Sequence, residues 1–328
     1  MFQYEGPNKK NDVALEEILV PNNAPELNRL NPSCFEPQLI IRNLGSDPLQ
    51  SLTINYGTKG FEEKSYSWNG SLDFYEEEVV TLPGLIDFKH GENVFFAELE
   101  KPNGEKDQWL SDNAMDIDFT SPKEMPEKIV LTFKSNNAPK DNIIQVFDED
   151  KNIVFERLQQ SIDSNTIYID TLSLPEGKYR IALQDTAHNG LEFWFMPQFG
   201  FGYMYMSDLN GRILHRFESD CGVGETLDFV TKQNPSIDTQ VEQSFFMLHP
   251  RRVRTETQLM VKMEESADGK INILADGDTI KVIPFTDVQD KIFDVSFEEF
   301  EDGRYVIELL VEGESKLKQR ISKTSGRR

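Results

Sequence analysis

The chain has 328 residues, 38% of them hydrophobic, with 57 acidic against 34 basic side chains and a formal net charge of −23. Such a length allows two or three domains with their own cores, and such a charge argues against nucleic acid and anionic lipid as partners. No apolar run approaches the roughly 20 residues of a membrane span.

Residues 1–37 are polar and carry Pro7, Pro21, Pro25, Pro32 and Pro37, which reads as a linker or an arm lying against the first domain. Strand signals come next at 38–43, 51–56, 63–68, 78–82 and 93–100. Leu52, Ile54 and Tyr56 alternate with polar residues and so share one face. Turns fall at Gly45-Ser46-Asp47-Pro48 and Pro102-Asn103-Gly104. Short strands at this spacing predict an immunoglobulin-like antiparallel β-sandwich over 38–122.

The proline pair Pro122 and Pro126 marks a boundary. Between 126 and 232, strand signals at 128–133, 143–147, 152–156, 166–171, 179–183, 213–217 and 226–230 predict a jelly-roll-like sandwich. Residues 232–244 are polar and aperiodic, a second linker. The last block, 245–324, has strand signals at 259–263, 270–275, 279–283, 291–295, 305–311 and 315–321 and predicts a smaller sandwich. Long helices are absent from the pattern, so the chain reads as all-β, in tandem units.

The middle block holds the densest aromatic run. Trp194, Phe199, Tyr203 and Tyr205 could stack on sugar rings or on a peptide. The competing reading is jelly-roll core plus an interdomain seam. It is favoured, because odd and even positions from 199 to 206 are both largely apolar. Asp185, Asn189 and Glu192 could offer hard oxygen ligands to calcium, which takes six to eight. A plain turn explains them as well. Four scattered histidines, His90, His188, His215 and His249, have no metal-binding spacing. Acidic pairs such as Asp112 with Asp116, or Glu298 with Glu299, arise by chance among 57 acidic residues. No stretch supplies a catalytic set. Cys34 and Cys221 are either one bridge between the first and second domains or two buried thiols.

In the last block, Gly303-Arg304-Tyr305 follows an acidic run and precedes the basic strand 316–323. This is similar to the end of the C-terminal sorting domain that secreted Bacteroidetes proteins carry for the type IX secretion system. Leu248-His249-Pro250 stands where that family starts its domain, with Arg251 and Arg252 departing from its pattern. The first two blocks resemble the non-catalytic C-terminal half of Bacteroidetes proteins related to peptide-N-glycosidase F. The residues concerned are Asn31-Pro32-Ser33-Cys34-Phe35-Glu36-Pro37, Arg42-Asn43-Leu44-Gly45-Ser46-Asp47-Pro48-Leu49 and Trp68-Asn69-Gly70.

The resemblance implies an exported or surface-attached scaffold or ligand-binding part. Its sorting signal would lie around Gly303, Tyr305, Lys316 and Lys318, its partner would be the secretion machinery, and a glycan or glycoprotein is a candidate ligand. The start, 1–17, has no apolar signal core. Taken alone that implies a cytoplasmic protein; under the resemblance it implies a fragment. The alternatives are a glycan-directed hydrolase and a purely structural surface or adhesin component.

Overall fold

The computed structural model describes residues 7–24, 34–192 and 199–325. Strands dominate, and the helical pieces among these residues are single 3-10 turns. Seven strands build the first sandwich: β1 (Val13–Val20), β2 (Gln38–Asn43), β3 (Leu49–Thr58), β4 (Lys64–Leu72), β5 (Glu77–Thr81), β6 (Glu92–Glu100) and β7 (Ala114–Thr120). They form two sheets, ordered β1-β2-β5 and β4-β3-β6-β7. Alternation decides which side chains meet between them. Leu39 and Ile41 of β2 face Ile54, Phe95 and Phe119 of the other sheet within one buried cluster. Each such side chain contributes roughly 1.5–3 kcal/mol by leaving water.

β1 lies in the stretch expected to be an arm. It pairs antiparallel with β2, and Val13, Leu15, Ile18 and Val20 are buried in the core. Its register shifts between Leu15 and Glu17 and again between Ile18 and Val20. Those bulges break the period of two that marks a strand in sequence.

The second sandwich begins directly after β7. Its strands are β8 (Lys123–Pro126), β9 (Lys128–Lys134), β10 (Asn142–Phe147), β11 (Ile153–Arg157), β12 (Ile167–Ser173), β13 (Gly177–Asp185), β14 (Tyr203–Ser207), β15 (Ile213–Arg216) and β16 (Gly224–Lys232). The sheets run β11-β10-β13-β16-β8 and β12-β9-β14-β15. The ladders are antiparallel except where β8 joins β16 in parallel.

Residues 34–36 and 86 tie the two sandwiches together. Cys34 donates its thiol to Asp228 Oδ2 at 3.3 Å, Arg180 bonds Asp228 at 2.8 Å, and Lys178 Nζ donates to Ile86 O at 2.9 Å. Burial pushes the Cys34 thiol well up, and the Asp228 charge adds to it. Burial also raises Asp228, outweighing the Arg180 guanidinium.

Both cysteines are buried and neither is disulfide-bonded in this structure. Cys34 sits at Asp228, four residues into β16 from Gly224, whereas Cys221 precedes that strand. At about 3.3 Å per residue, the strand alone puts roughly 13 Å between Gly224 and Asp228, beyond the reach of a disulfide. Iodoacetamide should therefore modify neither thiol in the folded protein and both after denaturation without reductant. Mass spectrometry showing one intramolecular S–S bond would contradict this arrangement.

The third unit is a single six-stranded sheet: β17 (Phe245–His249), β18 (Arg252–Val253), β19 (Glu256–Ala275), β20 (Asp278–Ser296), β21 (Gly303–Val311) and β22 (Glu314–Lys323). The pairs of strands expected at 259–263 with 270–275, and at 279–283 with 291–295, are each one long strand. β19 carries on through the polar 264–268 stretch by shifting register between Lys262 and Ala267. Its first half pairs with β17 and its second with β21. Leu259 and Val261 from one half and Ile271 and Ile273 from the other reach a single core.

Candidate functional site

A further buried cluster lies between the second and third units. Phe201, Tyr203, Tyr205 and Ile213 come from the second, and Phe245, Met247 and Met260 from the third. The odd-numbered positions of β14 point out of the second core, while Met204 and Met206 point into it. Both faces of β14 are therefore covered. Phe245 meets Tyr203 and Tyr205 edge-on, with ring centroids 6.0 and 5.9 Å apart, the geometry aromatic rings prefer. Tyr203 and Tyr205 are 2% and 5% exposed, so neither offers a ring face to a solute. Phe199 is half-buried and its carbonyl accepts from Asn137 N at 2.7 Å. Trp194 lies outside the described residues.

Lys134 anchors the start of this seam. Its ammonium is buried and donates to Asn165 Oδ1 and Phe201 O, both at 2.6 Å, and to Ser135 O at 3.3 Å. It also stands 4.2 Å from the centre of the Phe201 ring. Burial lowers its pKa from the ordinary 10.5 to about 8. The unfolded chain then holds a proton that the folded chain has released between those values, so stability should rise with pH from 8 to 10.5. On the order of 3 kcal/mol is involved. Urea titrations across this window should show the rise in the parent protein and its loss in Lys134→Met; parallel curves would refute it.

The residues considered for calcium do not gather about one point. Asp185 is buried, and Oδ1 accepts from Ala187 N and Asn189 N while Oδ2 accepts from Asn142 Nδ2. It caps its own turn. Burial raises its pKa. Glu192 points elsewhere, to His249 Nδ1 at 3.4 Å. Among the described residues, no group of three or more His, Cys, Asp or Glu side chains is arranged to hold a metal ion.

What the seam does leave open is a cleft of about 540 Å³ at its rim. One wall is Glu192, Arg216 at the end of β15 and the 217–220 stretch that follows; the other is Phe246, Met247, Leu248 and Arg251, with Leu317 and Gln319 of β22 beneath. The first wall is held from behind. Glu225 is buried, accepts from Glu218 N at 2.7 Å through Oε2, and meets His215 Nε2 at 3.2 Å through Oε1.

Arg216 lies over the Phe245 ring, 4.2 Å from its centre, a cation–π contact that fixes the guanidinium plane. Burial lowers its pKa. Among the described residues, no carboxylate lies within ion-pair distance of Arg216. Sequence reasoning missed Arg216, Arg251, Phe246, Leu317 and Gln319. Nothing in their spacing joins them; only the meeting of β15, β17 and β22 does.

No family model and no curated protein matches the sequence. Among solved structures, the CARDB domain of a Pyrococcus furiosus protein in complex with di-metal ions shows 18% identity and a TM-score of 0.24, covering 36% of this chain and 96% of that one. A biofilm-associated protein BSP domain shows 8% identity and a TM-score of 0.24 over 99% of this chain and 68% of that one. The SGBP-B protein of a Bacteroides ovatus mixed-linkage glucan utilization locus, in complex with a heptasaccharide, shows 12% identity and a TM-score of 0.23 over 96% and 71%. Scores this low carry no inference about function. The all-β sandwich architecture rests on the ladders described above.

Proposed function

We propose that this chain is a non-catalytic binding and scaffolding part of an exported, surface-associated protein, with its third unit acting as the sorting signal for type IX secretion. The observation that carries the binding role is the rim cleft. It joins a ring-supported arginine, with no carboxylate within ion-pair distance among the described residues, to the edges of β17 and β22, which do not pair with each other. The carboxylates with raised pKa values, Asp12, Asp112, Asp185 and Asp228, are each shifted chiefly by burial, and none lines that cleft. Of the carboxylates that do line it, Glu192 meets His249 and Glu218 and Asp220 are exposed.

The sorting role is supported by the third unit's self-contained core and by its last strand. Gly303 opens β21, and Tyr305 donates its hydroxyl to Glu301 O at 2.8 Å, closing the turn before it. Lys316 and Lys318 stand exposed on β22, a basic strand on a chain of net charge −23. With a Sec signal added, the full chain should reach the cell surface of a type IX-competent bacterium. Truncation after Asp302, or the charge reversal Lys316→Glu with Lys318→Glu, should leave it in the periplasm. Surface display of both variants would refute the sorting role, and release of glycan from a denatured glycoprotein by the chain alone would refute the non-catalytic one.

A further inference from the structure

The third unit's sheet almost closes on itself, and the place where it fails to close is the rim cleft. The sheet runs β17-β19-β21-β22, with β18 on the far edge of β22. Yet β18 follows β17 directly in the chain. The two therefore pass along the same side of β22, one zipped to it and the other not.

β18 is zipped in parallel, Arg252 opposite Ser322 and Val253 opposite Lys323. Ser322 N donates to Arg251 O at 2.9 Å and Thr324 N to Val253 O at 3.0 Å. The same register carried back would set Met247 opposite Leu317. That pairing is absent: the ladder of β17 goes to β19 and that of β22 to β21. The gap between them is the cleft, with Phe246, Met247 and Leu248 on one side and Leu317 and Gln319 on the other.

Alternate N–H and C=O groups of a strand point away from its ladder partner. On β22 the outward groups belong to even positions, as Ser322 N and Thr324 N show by donating to Arg251 O and Val253 O, so Lys318 and Arg320 present theirs at the edge while Leu317 and Gln319 line the cleft. An unpaired strand edge is a template for another extended chain. A saccharide has no donor–acceptor array at strand spacing, whereas a peptide does. A cleft of about 540 Å³ lies within the range of ordinary ligand sites. Charge narrows the choice further. Arg216 reaches the cleft from β15, held on Phe245, with Glu242 and Glu192 near enough to act on its charge but no carboxylate within ion-pair distance among the described residues, and Arg251 lies on the opposite wall. Glu192 is engaged by His249, and Glu218 and Asp220 are exposed on the outer wall.

We propose that this cleft takes an extended acidic peptide segment, which pairs with the open edge of β22 at Lys318 and Arg320, beside the Leu317 and Gln319 side chains, and sets a carboxylate on Arg216. The assignment rests on the binding-module reading and names the class of partner for it. The segment completes the sheet where β17 diverges, and its side chains alternate between the Phe246 wall and solvent.

The test uses the full chain and fluorescent probe peptides of about eight residues, long enough to span the cleft in extended form. One alternates Glu with Val and Thr, one has Lys in place of Glu, and one is the acidic peptide N-methylated at alternate amides. The acidic peptide should bind. Lysine replacement, N-methylation and the protein variant Arg216→Gln should each weaken binding by about tenfold or more. An unchanged thermal midpoint for Arg216→Gln confirms that its fold persists.

Equal binding of the N-methylated probe, or binding indifferent to Arg216→Gln, would overturn the proposal. Oligogalacturonate serves as the saccharide arm. If it binds through Arg216 and no peptide does, the peptide occupant is wrong and the binding-module reading survives. If neither binds, both fall.

Discussion

Phe245→Ala should uncouple the second and third units and cost about 3–5 kcal/mol, the usual range for emptying a buried phenylalanine site. Phe245 is 3% exposed and touches the seam from three sides: Tyr203, Tyr205 and the Arg216 guanidinium. Its removal opens a cavity between units, and little nearby can fill it. Tyr203 and Tyr205 belong to β14, whose ladder to β9 holds them in place. Calorimetry should show the two units melting together in the parent protein and as separate transitions in the variant. A single transition, shifted by less than about 1 kcal/mol, would mean that the seam contributes no coupling. The same substitution removes the ring under Arg216. Affinity for the acidic probe should drop with it, whereas Met260→Leu, which conserves volume in the same cluster, should leave that affinity intact.

Gly224→Ala should destabilise the second sandwich by about 3 kcal/mol or more, from two sources that add. Gly224 opens β16 with φ of 127°, a conformation that side chains rarely adopt, and strain of this kind costs about 1–3 kcal/mol. A Cβ there would also lie 2.0 Å from Leu183 O. That atom belongs to β13, paired with β16 on one side and β10 on the other. No flexible side chain can yield, so the strands themselves must part, at about 1–3 kcal/mol for overpacking. Gly211→Ala provides the control. Its φ is also positive, at 85°, but no atom stands within 4 Å of the added carbon, so the strain acts alone. Chemical denaturation of the two variants separates the contributions. Equal losses would show that the contact with β13 is relieved without cost.

Much of this architecture is legible wherever strands keep a strict period of two. β2, β6 and β21 alternate cleanly between buried and less buried positions. Legibility fails where a bulge shifts the register, as in β1 and the middle of β19. It also fails in β7, where Met115, Ile117 and Phe119 do alternate but Asp116 and Asp118 between them give the run the look of an acidic loop.

Chemistry was harder to see. The cleft draws on residues 192, 216–220, 246–248, 251, 317 and 319, which are remote in sequence and meet only through the packing of the second and third units. Aromatic density pointed to Tyr203 and Tyr205, and those residues are the glue of the seam. The nearby arginine, ordinary in its local pattern, is the half-buried group that lines the cleft.

The seam also changes what the 233–244 connection means. That segment is mostly exposed and contains no strand, so it is the natural place for a protease to cut. Cleavage there severs the polymer but leaves Phe245, Met247 and Met260 clasped by the aromatic side chains of β14. A protease acting at this point would yield two fragments that travel as one particle, and the third unit would stay with the second until something pried the rings apart.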